Sequence, residues 1–412
     1  MDPDRESRPA ARPAALLRHP PFALYWCSRI LSVGASHMLA VAIGWQLYAL
    51  TGSALDLGLV GLVQFATQVV LTLVVGQAAD RYDRRAIIAV CRVVAGVAAA
   101  ALAAGTLGGW LTTGRILAIV AVVGAARAFE GPTMSALVVG LVSRPLVPKA
   151  MAWSVSANQA ARVVAPALGG VLYVAGAEFV YVVAGALFLV AGLLAALIRG
   201  PAATRPREHF TLDSFFSGVL YIRNSRVLLG MMSLDLFAVL FGGATALLPI
   251  YARDVLHTGP WGLGLLRSAP AVGALVMSGV LARYPIERQV GRVMFRAVLI
   301  FGAATVAFGL STSLPFSLLA LAVLGASDVV SVVIRVSLVQ MRTPDETRGR
   351  VSAVHSLFTG TSNQLGEFES GLTAALIGAV PAVLIGGLGT ITVAALWMYL
   401  FPELRRAGTL ER

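Results

Sequence analysis

About a dozen long apolar stretches run through the chain, and those of its second half echo those of the first. Each is long enough to cross a bilayer as a helix, which takes about 20 apolar residues. Backbone polar groups must be satisfied internally in lipid, so spanning segments are helices or closed barrels. The stretches here are continuous rather than alternating, which argues against a barrel. The expected fold is therefore all-α and integral to the membrane: twelve transmembrane helices in two pseudo-symmetric six-helix bundles.

Composition agrees. Of 412 residues, 58% are hydrophobic and only 13% charged, too few charges to cover a water-exposed surface. The net charge is +12, with Lys149 the only lysine among 32 basic residues. A basic excess raises nucleic-acid binding, but the placement argues for topology instead. Arg81, Arg84, Arg85 and Arg92 form one group between apolar runs; Arg199 to Arg226, Arg283 to Arg296, and Arg342 to Arg350 form others. The alternate connections near 51–56, 173–178, 311–315 and 378–381 carry no Arg or Lys, with Arg115 and Arg253 as exceptions on that side. By the positive-inside rule both termini are expected in the cytoplasm. The first apolar run is too long for a signal-peptide core, so no cleaved leader is expected. Cys27 and Cys91 have no metal or redox neighbours and read as packing residues.

The expected helices are 22–50, 54–79, 84–107, 113–142, 149–173, 177–198, 226–252, 260–283, 291–311, 314–341, 349–378 and 380–401. The division is a tail at 1–21, a bundle at 22–198, a linker at 199–225, a bundle at 226–401 and a tail at 402–412. The segment 212–225 is expected to lie along the membrane surface. The repeat shows in YALTGSALDLGLV (48–60) against YARDVLHTGPWGLGLL (251–266), and in GAARAFEG (124–131) against GASDVVSV (325–332). The second match places Arg127 and Asp328 at corresponding positions. A duplicated half is a common plan for transporters.

Three motifs carry chemistry. GQAADRYDRR (76–85) puts Gly76, Asp80, Arg81, Arg84 and Arg85 between the second and third helices. A loop that only set topology would need the arginines but not Gly76 and Asp80 at that spacing. APALGG (165–170) places Pro166, Gly169 and Gly170 in the fifth helix, where Pro allows a bend and Gly a close approach. RAFEG (127–131) puts Arg127 and Glu130 one turn apart, close enough to pair. A charge at that depth costs at least ~2.5 kcal/mol unless it meets a partner or water.

The first motif resembles the signature loop of the major facilitator superfamily, Gly-x-x-x-Asp-Arg-x-Gly-Arg-Arg, with Asp83 in place of its Gly. The second resembles the end of that family's antiporter signature, with Ala165, Ala161 and Ala152 where glycines are usual. The third resembles its Arg-x-x-Gln/Glu-Gly element. RILSVGASHMLAVAIGWQLYALTGSALDLGLVG (29–61) and RTPDETRGRVSAVHSL (342–357) are similar to the enterobactin-exporter-like branch. The resemblance implies alternating access, with Asp80 and its arginines latching the cytoplasmic ends of the second and eleventh helices. It also implies proton transfer through Arg127 and Glu130.

Other ionisable residues within spans are Arg29, Arg162, Asp235, Arg267, Asp328, Arg335, Glu367 and Glu369. Such residues are functional candidates by default. The resemblance lines the cavity with the first, fourth, seventh and tenth helices, which favours Arg29, Arg127, Asp235 and Asp328. Asp235 and Asp328 join Arg127 and Glu130 as candidates for proton coupling. The cavity candidates are Arg29, Trp45, Tyr48, Asn158, Arg162, Phe237, Phe241 and Glu367, a mixture suited to an amphipathic molecule. Asn158 and Arg162 share a face, and Gln64, Thr67 and Gln68 form a polar stripe. His37 and His355 read as packed residues.

No P-loop and no metal-spaced His/Cys set occurs, so neither an enzyme, a metal nor a cofactor is expected. The partners expected are membrane lipid, a small organic substrate and protons, with no nucleic acid, in a monomer of the bacterial inner membrane. The favoured reading is proton-coupled export. Import, facilitated diffusion or a scaffold that moves nothing are the alternatives.

Overall fold

The computed structural model describes residues 16, 19–199, 212–406 and 408. The tail at 1–21, the linker at 199–225 and the tail at 402–412 therefore fall largely or partly outside the described residues. Side chains of a few residues within helices, including Gly76, Asp80 and Arg81, also lie outside the description.

The described residues form helices joined by tight connections. They are α1 (Pro20–Thr51), α2 (Ala54–Arg81), α3 (Arg84–Leu107), α4 (Thr113–Leu141), α5 (Val147–Leu172) and α6 (Ala177–Ala196). After the linker come α7 (Leu212–Asn224), α8 (Arg226–Phe241), the single turn α9 (Leu248–Ile250), α10 (Pro260–Arg283) and α11 (Val290–Gly309). The chain continues with α12 (Leu314–Arg342), α13 (Asp345–Ile377), α14 (Ala379–Leu400) and the single turn α15 (Pro402–Arg405).

The breaks follow from local chemistry. α1 stops at Gly52, whose φ of +61 is the left-handed conformation that ends a helix without a Cβ clash. The side chain of Asp83 accepts a hydrogen bond from the Arg85 backbone N–H and starts α3, and Thr112 starts α4 in the same way. Among the described residues ten helical segments are long and apolar enough to cross a membrane. α5 and α13 are also of spanning length, 26 and 33 residues, but carry more polar groups.

One expected helix is broken. The sequence suggests a continuous span over 226–252, whereas α8 ends at Phe241. Gly242 and Gly243 follow, then short turns to Ile250 and a π-helical turn over Tyr251–Val255. Gly243 lies against the backbone of Gly366 on α13, so a side chain there would block the crossing. A glycine pair followed by Pro249 accounts for the break.

The packing repeats. α1 lies on α5 and α6, α3 on α4 and α6, and α2 on α4. Correspondingly, α8 lies on α13 and α14, α11 on α12 and α14, and α10 on α12. The two bundles meet where α2 packs on α13 and α5 on α10. Val90, Val97, Leu193, Val276 and Leu319 are among many large apolar side chains exposed on the outside. So much exposed apolar surface is what lipid contact requires. α7 packs on α8 and α13.

Candidate inter-bundle cavity

The end of the molecule where α1 begins and α14 finishes is here called proximal, and the opposite end distal. At the distal end the bundles close on each other. Gly58 on α2 and Gly371 on α13 face so closely that a Cβ on Gly371 would lie 2.5 Å from the Gly58 Cα. On the other side a Cβ on Gly170 of α5 would lie 3.0 Å from the Gly264 Cα of α10. Gly264 in turn packs beside Pro166, and a Cβ on Gly169 would lie 3.0 Å from the Met38 Cα. The APALGG stretch thus forms a seam to α1 and α10. Backbones come this close only where side chains are missing.

A polar latch lies beside these seams. The Tyr48 hydroxyl on α1 donates to Asp254 Oδ2 in the turn beyond α9. Arg253 Nη1 donates to the Tyr48 carbonyl at 3.4 Å, and its guanidinium sits 5.6 Å from the Tyr48 ring centroid. Nearer the middle, Gln364 on α13 donates to Gln68 of α2 at 2.8 Å.

At mid-depth the bundles separate. Arg127 occupies the middle of α4 and Asp328 the middle of α12. Arg127 and Arg162 are exposed to solvent there, and Asp328 and Glu367 partly so. Arg162 lies within electrostatic reach of both Arg127 and Asp328, and Glu367 within reach of Arg267 and Arg127. His37 on α1 senses Arg162, Arg127 and Arg267. Charged groups of α4, α5, α10, α12 and α13, with His37 of α1, therefore converge on a gap sealed distally.

Each bundle also encloses an ion pair. Glu130 does not pair with Arg127, as the RAFEG spacing suggests; it pairs with Arg92 of α3, whose Nη2 and Nε lie 2.9 and 3.0 Å from Oε1. Ser32 of α1 also donates to Oε1, at 2.9 Å. Arg92 is 0% exposed, with Nη1 bound to Ser28 Oγ and to the Ala191 carbonyl at 3.1 Å. It does not belong to the surface arginines of the 76–85 loop. It lies two turns inside α3, on the face turned towards α4.

In the second bundle Arg335 of α12 pairs with Asp235 of α8, and it donates to Ser331 at 3.2 Å. Thr359 of α13 donates to Asp235 Oδ2 at 3.3 Å. The register that aligns Tyr48 with Tyr251 puts Ser32 opposite Asp235. The register that aligns Gly124 with Gly325 puts Glu130 opposite Ser331 and Met134 opposite Arg335. A Cβ on Gly96 would lie 3.3 Å from the Gly185 carbonyl oxygen of α6, and one on Gly302 2.9 Å from the Gly387 carbonyl oxygen of α14. That match sets Arg92 opposite Val298. The two pairs hold the same place in the two bundles with the charges carried by different helices. A small pocket opens beside the second pair, lined by Asp235, Asp328, Ser327, Ser331, Arg335 and Val298 among others. Val298 is smaller than the arginine that fills the matching space in the first bundle. Asp328 has no ion-pair or hydrogen-bond partner among the described residues.

Several cavity candidates lie elsewhere. Phe237 packs at a tilt against Trp397 of α14, centroids 5.3 Å apart, on the outside of its bundle. Phe241 packs against Gly389 of α14. Trp45 meets Tyr173 edge-on at 6.4 Å, at the distal end. Tyr48 belongs to the latch. Arg29 donates to the Tyr25 hydroxyl at 3.1 Å, and Asn158 is partly buried on the same helix as Arg162. Arg85 is held by Asp83 and by the Ile198 carbonyl at 2.9 Å, and Arg84 is partly buried. The side chains of Gly76, Asp80 and Arg81 lie outside the described residues. Among described residues no group of three or more metal-ligating side chains occurs.

The residues missed from sequence are Arg92, Ser32, Arg253, Asp254 and Thr359. Arg92 carried a signal: it falls within an apolar run, not beside it.

A family described as transmembrane secretion effector matches residues 11–409. The enterobactin exporter EntS of Citrobacter koseri is 27% identical over 399 residues, 95% of this chain and 94% of that protein. Its counterpart from Escherichia coli O81 is 25% identical over 397 residues, with the same coverage. Among solved structures, a nucleoside transporter NupG mutant superposes with a TM-score of 0.73 at 13% identity, over 92% of this chain and all of that one. A bacterial homologue of the iron transporter ferroportin gives 0.70 at 17%, over 95% and 99%. These likenesses establish the fold.

Proposed function

This chain belongs to the transmembrane secretion effector family of major facilitator transporters, and from that premise we propose that it exports small amphipathic organic compounds in exchange for protons. It is a transporter and not an enzyme. The observation that carries the reading is the gap at mid-depth, closed distally by glycine seams and the Tyr48–Asp254 latch, onto which ionisable groups of both bundles converge.

In this reading the proximal end is cytoplasmic, both termini with it, and the membrane is the bacterial inner membrane. The structure then corresponds to an inward-facing state of a monomer whose units are 22–198 and 226–401, joined by 199–225. Cargo enters from the cytoplasm, the distal seams part, and the proximal ends close. Gly76, Asp80, Arg81, Arg84 and Arg85 are proposed to hold that second closure.

Proton coupling is assigned to the Asp235–Arg335–Asp328 cluster. Asp235 pairs with Arg335 there and Asp328 stands beside them with no such partner among the described residues, so one added proton leaves the cluster neutral. A carboxylate facing a like charge in a confined space takes up a proton more readily. Glu130 keeps its place as a candidate, although the rigid Arg92 and Ser32 contacts favour a positioning role. Arg127 then belongs to the cargo side of the site.

The test is accumulation of fluorescent amphipathic compounds in an efflux-deficient bacterial host. Expression should lower accumulation, a protonophore should abolish the effect, and Asp328→Asn should abolish it with the protein still in the membrane. A broad panel with no change would remove the exporter reading and leave import or a non-transporting role.

A further inference from the structure

The arginines of the gap outnumber its carboxylates. Arg127 on α4, Arg162 on α5 and Arg267 on α10 have no carboxylate at ion-pair distance among the described residues. The Nε of Arg267 is buried with no hydrogen-bond acceptor among the described residues. Arg267 is pressed under α1, its Nη2 3.2 Å from where a Gly44 Cβ would stand. Arg127 and Arg162 lie within electrostatic reach of each other on the first bundle's side of the gap, and His37 is within reach of both and of Arg267. Against these stand Glu367 and Asp328, each near an arginine and neither bound to one.

Unpaired like charges at mid-membrane depth are costly, and buried donors without acceptors add to the cost. A permanent internal partner would remove that cost, yet the two carboxylates stand off. The arrangement makes sense if the counter-charge arrives with the cargo. Guanidinium is suited to this: always charged, planar and able to hold two oxygens of one anionic group.

We propose that the cargo is an organic anion, an apolar body bearing a carboxylate, sulfonate or phosphate that Arg127 and Arg162 clasp at mid-depth, with Arg267 supplying further positive potential. This deepens the exporter reading and rests on it. An anion is also drawn outward by an inside-negative membrane potential, the same potential that draws protons inward.

The experiment uses the purified full chain in lipid nanodiscs with matched trios of ligands. One trio is 2-naphthoate, its methyl ester and 2-naphthylmethylammonium; biphenyl and steroidal trios extend the size range. Affinity is read from ligand-induced thermal stabilisation. In at least one trio the acid should bind at least tenfold more tightly than the ester and the amine. Arg127→Gln and Arg162→Gln should each weaken the acid about tenfold and leave the ester unchanged, with the ligand-free melting temperature retained. An ester or amine that equals or exceeds its acid in every trio that binds would overturn the anion assignment while leaving the exporter reading intact. No binding by any member, with the protein folded, would count against the exporter reading and the inference together. The wild-type ranking decides the matter even where an arginine variant misfolds.

Discussion

Replacing Tyr48 with Phe removes one hydroxyl and keeps the ring. That hydroxyl donates to the Asp254 carboxylate across the distal seam. A hydrogen bond to a charged group contributes about 1.5–3 kcal/mol when buried. The Tyr48 side chain is buried but the Asp254 side chain is 48% exposed, so water competes for the carboxylate. A net loss of about 1.4 kcal/mol is then reasonable, a tenfold change in an equilibrium constant. The ring remains beneath Arg253, so the cation–π contact survives and the effect isolates the hydrogen bond. The contact exists only while the distal end is closed. Tyr48→Phe should therefore raise the ratio of distally open to distally closed molecules about tenfold. The assay is pulsed electron spin resonance between labels at Ser53 and Ser313, on connections of the two bundles, with Cys27 and Cys91 replaced. The long-distance population should grow. An unchanged distance distribution in a folded, ligand-binding protein would show that the latch contributes nothing to the conformational balance.

Three further outcomes follow from the same geometry. Arg92→Ala leaves Glu130 uncompensated and should destabilise the protein by about 3–5 kcal/mol, read as lost thermal stability; removing both charges should cost less. Gly371→Ala sets a methyl 2.5 Å from the Gly58 Cα and should open the distal seam at a cost of about 1–3 kcal/mol, read as labelling of a cysteine buried at that end. An impermeant thiol reagent outside intact cells should modify a cysteine at Ser53 and spare one at Tyr284, and the reverse pattern would invert the proposed orientation.

Helix limits were legible because the signals were local. The connections free of Arg and Lys near 51–56, 173–178, 311–315 and 378–381 fall at or beside helix ends, and most limits fall within two residues of expectation. α13 is an exception, starting at Asp345 rather than 349. Charge pairing was not legible, for a physical reason. RAFEG suggests a pair within one helix, but Arg127 points to the gap and Glu130 towards α3. Which face a residue presents depends on the neighbouring helix, and that information is spread across the chain. The same cause hides the aromatics: Phe237 and Phe241 share α8 with Asp235 yet pack on α14. The duplicated plan could be read from Tyr48 and Tyr251, but not the fact that the buried charges change helices between halves.

The central claim is exchange of cargo for protons, and the most direct measurement follows both at once. Respiring inside-out vesicles containing the protein acidify their lumen, and the cytoplasmic face of the transporter is then outside. Added cargo should accumulate in the lumen, and the lumen should become more alkaline in step with it; vesicles carrying Asp328→Asn should show neither. Cargo accumulation with no accompanying proton movement would contradict the account.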